Sequence, residues 1–112
     1  MTLFNPSQVQ QQQVTKFPGG SSIAEFALTT SPVTVLSDRN TANNRRGLML
    51  FNDGTANALF TLGTGVSATA FTAEILPGGY FEDSAAAPWQ GPVMMRSTSS
   101  PTTVNVTEIV II

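Results

Sequence analysis

Residues 47–62 read GLMLFNDGTANALFTL, which is two short apolar runs separated by a turn signal. The first run, 47–51, is apolar at almost every position, as is typical of a central strand covered on both faces. The second run, Ala58–Leu62, places Ala58, Phe60 and Leu62 on one face. The Asp-Gly pair between them suits a tight hairpin, because it tolerates positive φ. The stretch therefore predicts two antiparallel strands joined by a hairpin turn.

Similar patterns continue on both sides of this stretch. Turn signals recur every ~8–12 residues from residue 23 onward, a spacing typical of sandwiches and barrels. The sequence therefore predicts an all-β fold, an antiparallel β-sandwich or flattened barrel of about seven strands. Beyond the central pair, the predicted strands cover residues 23–28, 33–36, 70–76, 93–96 and 103–112, and residues 80–82 lead away from a turn.

Two of these segments leave an alternative open. Ser22-Ile23-Ala24-Glu25 also fits a capping box that opens a short helix. We favour a strand, because Thr29-Thr30-Ser31-Pro32 would end a helix almost at once. In the last segment, Val104 and Val106 share one face while Ile109 and Ile111 fall on the other. That change of phase predicts either a bulge or burial on both sides.

The chain divides into a predicted N-terminal arm, residues 1–22, and a β-domain, residues 23–112. The arm is rich in glutamine, and residues 18–22, PGGSS, predict a flexible hinge. We expect a neighbouring molecule to order the arm, because it cannot form a core of its own; the alternative is that the arm docks on its own domain. At 112 residues, the whole chain is long enough for one modest core.

The composition restricts the classes of partner. Charged residues make up 11% of the chain, against about 25% in an average domain. Uncharged polar surfaces suit proteins that pack against neighbours, because burying a hydroxyl costs less than burying a charge. An extracellular-type β-domain with a neutral surface fits this composition equally well. A net charge of −2 argues against nucleic acid, and no apolar run is long enough to span a membrane. The first residues do not resemble a secretory signal, so we expect assembly in the cytoplasm.

The residue types needed for most enzyme chemistry are missing. The chain contains no His and no Cys, which excludes Ser-His-Asp and Cys-His catalysis and imidazole or thiolate metal sites. Glu82 and Asp83 are adjacent, so on a strand they point to opposite faces and cannot act on one bond. We therefore expect a protein that is not an enzyme and that needs no metal and no cofactor.

Two other groups of residues allow a functional and a structural interpretation. Arg45-Arg46 could anchor a partner's acidic surface or backbone carbonyls, or could keep a strand edge soluble. Tyr80 and Trp89 could form a platform that stacks against a sugar. A Trp in the corner Pro-Trp-Gln-Gly-Pro is more often a plug in the core, and we favour that interpretation.

Five short motifs resemble a small β-domain of tailed-bacteriophage virion structural proteins, of the capsid decoration or cement type. The motifs are residues 43–52 (NNRRGLMLFN), 58–63 (ALFTLG), 76–82 (LPGGYFE), 90–93 (QGPV) and 104–108 (VNVTE). They cover roughly residues 33–108. The glutamine-rich arm and the apolar end, 109–112, lie outside the pattern and suggest contacts special to this chain.

The resemblance implies a cement protein on the outer capsid surface of the virion. Such a protein would bridge subunits of the major capsid protein at symmetry axes or across capsomer joints, and we expect a homotrimer, because shells have local three-fold axes. The alternatives are a tail, neck or fibre component and, from Tyr80 and Trp89, a carbohydrate-binding module. The residues expected to bind partners are Leu3, Phe4, Val9, Val14, Phe17, Arg45, Arg46, Ile109 and Ile111.

Overall fold

The computed structural model describes residues 19–84 and 86–111. Five residues expected to anchor the arm lie outside this part of the chain: Leu3, Phe4, Val9, Val14 and Phe17. Eight strands are described: β1 (Gly19–Leu28), β2 (Val33–Leu36), β3 (Arg45–Asn52), β4 (Ala58–Leu62), β5 (Ala73–Ile75), β6 (Tyr80–Asp83), β7 (Val93–Ser97) and β8 (Thr102–Ile111). No helix in the described residues could cross a membrane.

The strands form two antiparallel sheets of four strands each, in the orders β1-β8-β3-β6 and β2-β7-β4-β5. The predicted all-β antiparallel sandwich is confirmed, with one strand more than the expected number. Alternate residues of each sheet point to the space between the sheets and form one core. Its fully buried members include Leu28 and Leu50 from the first sheet and Phe60 and Met95 from the second.

The predicted hairpin between β3 and β4 is wrong. β3 pairs with β6 and β8, while β4 pairs with β5 and β7, so the two strands belong to different sheets. Leu48 and Leu50 of β3 and Ala58 and Phe60 of β4 all point into the one core between the sheets. Strand patterning alone does not distinguish two strands that pair side by side from two that pack face to face.

The Asp-Gly turn also differs from the expectation of positive φ. Gly54 is not among the described residues with positive φ. Its role is close approach, because a Cβ atom there would overlap the hydroxyl oxygen of Thr102 and lie 2.6 Å from the nitrogen of Thr103. Asp53 donates its N–H to the carbonyl of Thr103 at 2.9 Å, which holds the connection against β8 before it crosses to the second sheet.

β1 is a strand, as favoured over a helix, but it begins at Gly19. Residues 19–22, expected to be part of a hinge, pair with residues 108–111 of β8 in an unbroken register. Residues 19–22 are glycine and serine, which are weak strand formers, so the sequence predicted a hinge. Pairing with the end of β8 outweighs this weak strand propensity. The expected boundary of the arm at residue 22 therefore falls inside β1.

Candidate interaction surface

The outer face of the β1-β8-β3-β6 sheet, which points away from the core, carries a band of apolar side chains. Cross-strand pairs fix this face, because paired residues point to the same side of a sheet. Phe51 pairs with Tyr80, Met49 with Thr107, and Ser21 with Ile109. We call the following residues the apolar band: Ile23, Met49, Phe51, Tyr80, Ile109 and Ile111.

The apolar band is accessible in the isolated chain. Ile23 is 71% exposed and Tyr80 is 64% exposed. Met49, Phe51, Ile109 and Ile111 are half-buried. Single apolar residues on a surface are common, but six apolar or aromatic side chains on one sheet face are typical of an interaction site. Ile109 and Ile111, two of the expected partner-binding residues, lie within this band.

Two exposed carboxylates flank the apolar band. Glu25 in β1 and Glu82 in β6 point to the same outer face, since Glu25 pairs with Asn105 and Glu82 pairs with Met49. A complementary partner would therefore present an apolar surface with cationic side chains at its margins.

β8 has no change of phase, because its inward face continues from Val106 to Glu108. The β1–β8 register continues without a break to Ile111, and the irregularity lies in β3, between Arg45 and Gly47. Glu108 takes the inward position that follows Val106, and it is buried. Ile109 and Ile111 therefore point outward through ordinary alternation. Both predicted explanations are wrong, because β8 has no bulge against β1 and its end is half-buried.

Arg45 is inaccessible to a partner and does not lie on an exposed strand edge, so neither sequence interpretation describes it. Its side chain is fully buried, and its Nε donates to Oε2 of Glu108 at 2.9 Å. Its other nitrogens donate to the carbonyls of Ser37, Trp89 and Gly91 at 2.7–3.0 Å. Arg45 thus does bind backbone carbonyls, but those of its own chain. Arg46, the next residue, is exposed.

Arg39 completes the cluster around Glu108. It donates from Nε and Nη2 to both carboxylate oxygens of Glu108 at 3.0 Å, a bidentate pair. Burial disfavours the charged form of Glu108, but hydrogen bonds from Arg39 and Arg45 outweigh this effect, so the pKa of Glu108 lies below its ordinary value. The hydrogen bond to Glu108 also raises the pKa of Arg39.

Tyr80 and Trp89 do not form a shared platform. Tyr80 lies on the outer face, whereas Trp89 is half-buried and packs against the core. The indole Nε1 of Trp89 donates to the carbonyl of Pro92 at 2.9 Å, and its backbone N–H donates to Asp83. The structure thus supports the core-plug interpretation of Trp89. Glu82 and Asp83 point to opposite faces, as predicted.

Sequence reasoning missed Glu108, Gln90 and Asn52. The Gln90 side chain exchanges two hydrogen bonds with the backbone of Arg45, at 2.9 and 2.7 Å. The buried Asn52 amide donates to two carbonyls and accepts from the Thr102 hydroxyl. The sequence did contain one signal for Glu108. It follows Val104 and Val106 at alternate positions of the strand, so it lies on the same face as these two apolar residues.

No protein-family model matches the chain, and no curated protein matches it. Among the described residues, no group of carboxylates is arranged to hold a metal ion.

Proposed function

We propose that this protein decorates the capsid of a tailed bacteriophage and docks on the shell through the apolar band. The observation that carries the proposal is the band itself, an exposed apolar face on a chain with few charges. A decoration protein needs such a face, because its docking surface is in water before assembly and in contact with the shell afterwards.

The motifs that resemble phage virion proteins are in contact with one another in the fold. Arg45 of the first motif bonds Glu108 of the last, and both Gln90 and Gly91 of the aromatic corner bond Arg45. These motifs therefore contribute to one framework that fixes the sheet. Ile109 and Ile111, at the end of that framework, extend it into the apolar band.

Bridging major capsid protein subunits requires a rigid decoration protein. The Arg39–Glu108–Arg45 cluster ties the loop after β2 and the corner before β7 to β8. Charge-assisted hydrogen bonds of this kind hold geometry well. The apolar band is thus mounted on a braced sheet, which suits a protein that holds shell subunits in register.

A tail, neck or fibre component would use the same kind of surface, so position in the virion must be measured. Immunogold electron microscopy of purified particles, with antibodies against the β-domain, distinguishes the two. We expect label over the shell. Label confined to the tail would overturn the capsid proposal in favour of the tail, and particles without label would overturn both.

A sugar-binding function has less support. Stacking sites present aromatic rings side by side, and here Tyr80 is on the outer face while Trp89 packs into the core. A glycan array provides the check, and binding that is lost in Tyr80→Ala would restore this alternative.

A further inference from the structure

The edge formed by β1 lacks the features that natural proteins use to prevent strand addition. β1 is the first strand of its sheet, and no strand among residues 19–84 and 86–111 pairs with its other side. It contains no proline and no lysine, its register with β8 has no bulge, and Glu25 is its one charged residue. Long edges of this kind are ready-made templates for pairing with another strand.

The side chains along this edge leave room for a neighbour. Ser21, Ser22 and Ala24 are exposed and small, and a Cβ atom added to Gly20 would meet nothing within 4 Å. Ile23, in the middle of the strand, is 71% exposed. A second strand could therefore approach β1 without steric conflict and would cover the most exposed apolar residue of the apolar band.

We propose that β1 pairs antiparallel with β1 of a second copy of this chain, around a two-fold axis centred on Ile23. The β1-β8-β3-β6 sheets of the two copies then become one continuous eight-stranded sheet, and the apolar bands of the two copies form one surface. The two-fold axis is normal to the sheet, so the two residues of each pair must point to the same face. Centring on Ile23 meets this condition, because it pairs each residue with one an even number of positions away. Residues 19–27 of one copy face residues 27–19 of the other.

The side chains are complementary in this register. Glu25 faces Ser21 of the second copy, whose hydroxyl can donate to the carboxylate, and half-buried Phe26 faces Gly20. Ile23 faces Ile23 of the second copy, which covers one side of each of these exposed side chains. Centring on Glu25 would place two carboxylates opposite each other, an unfavourable cross-strand pair. The single charge of β1 therefore selects against that register.

Decorating a capsid does not require a second copy of this chain as a partner. A two-fold axis generates a dimer, which takes the place of the trimer expected from shell symmetry and suits a joint between two capsomers. Self-pairing needs no shell, so its failure would leave the capsid proposal standing, and the failure of that proposal would leave the dimer standing.

The test is the solution mass of the full chain, measured by size-exclusion chromatography with light scattering over a concentration series. We expect twice the 11.8 kDa of one chain. Ile23→Lys and Ile23→Glu each place like charges against each other at the axis, so each variant should be monomeric. An equimolar mixture of the two variants should recover the dimer, because Lys and Glu then face each other.

Thr34→Lys is the matched control, because Thr34 is exposed on β2, an edge strand of the other sheet. It should remain dimeric, and circular dichroism should show that all the variants are folded. A wild-type mass of one chain or three chains overturns the proposal. So does a dimer that persists in both Ile23 variants, or a mixture that stays monomeric.

Discussion

Arg45 and Glu108 meet at 2.9 Å in the interior, although 63 residues separate them in the chain. Arg45 also donates to carbonyls of the loop after β2 and of the corner before β7. This one side chain therefore joins β3 and β8 to the two connections that run between the sheets. Since its charge is buried, its contribution depends on all of its partners being present.

Arg45→Met should destabilise the fold by about 3–5 kcal/mol, because it leaves Glu108 paired only with the part-buried Arg39 and leaves several carbonyls without their donor. Urea denaturation monitored by tryptophan fluorescence measures this change. Arg46→Met, at the exposed neighbouring position, should change stability by about 0.5 kcal/mol or less. Equal losses in the two variants would show that Arg45 is not the internal anchor.

The free energy of unfolding should fall in acid, because protonation of Glu108 weakens its ion pairs with Arg39 and Arg45. The pKa of Glu108 is lower in the folded chain than the ordinary carboxyl value of about 4.3, so its contribution is complete above that value and is lost as pH falls through the lowered pKa. Urea midpoints between pH 7 and pH 2 should therefore drop. Glu108→Gln should be less stable than wild type at pH 7, and the gap should narrow in acid. A gap that is independent of pH would contradict the assignment.

Gly54→Ala should destabilise the protein by about 1–3 kcal/mol, because the added methyl group overlaps Thr102 and Thr103. Gly47→Ala is the matched control, since a Cβ atom there would meet its neighbours at 3.6 Å or more, which is ordinary contact. Thermal unfolding measures both. If Gly54→Ala is as stable as Gly47→Ala, the turn does not depend on close approach to β8.

The role of the amino-terminal arm is a prediction from sequence that a deletion can test. The start of β1 at Gly19 determines where that deletion should end. Deleting residues 1–18 leaves β1 whole, whereas a deletion to residue 20 would remove two residues that pair with β8. We expect the shorter deletion to keep the wild-type melting temperature and to abolish attachment to shells. Normal attachment by this variant would show that the arm does not anchor the protein.

Local patterns predicted most of the strands because alternation and turn residues are short-range signals. β2 and β4 match their expected limits, whereas residues 70–76 contain a shorter strand, Ala73–Ile75. Pairing could not be predicted this way, because β3 and β4 have the same pattern whether they pair or face each other. Arg45 illustrates the same limit for the site: a basic pair predicts a surface, and the buried acceptor, Glu108, lies on a distant strand.

The most direct test of docking through the apolar band is a binding titration on shells purified from phage that lack this protein. Wild type should bind saturably, Ile109→Lys should bind at least about tenfold more weakly, and Thr34→Lys should bind like wild type. A tenfold loss corresponds to about 1.4 kcal/mol, a modest cost for a charge placed in an apolar contact. Wild-type binding by Ile109→Lys, or no binding by the wild-type protein, would contradict docking of this face on the shell.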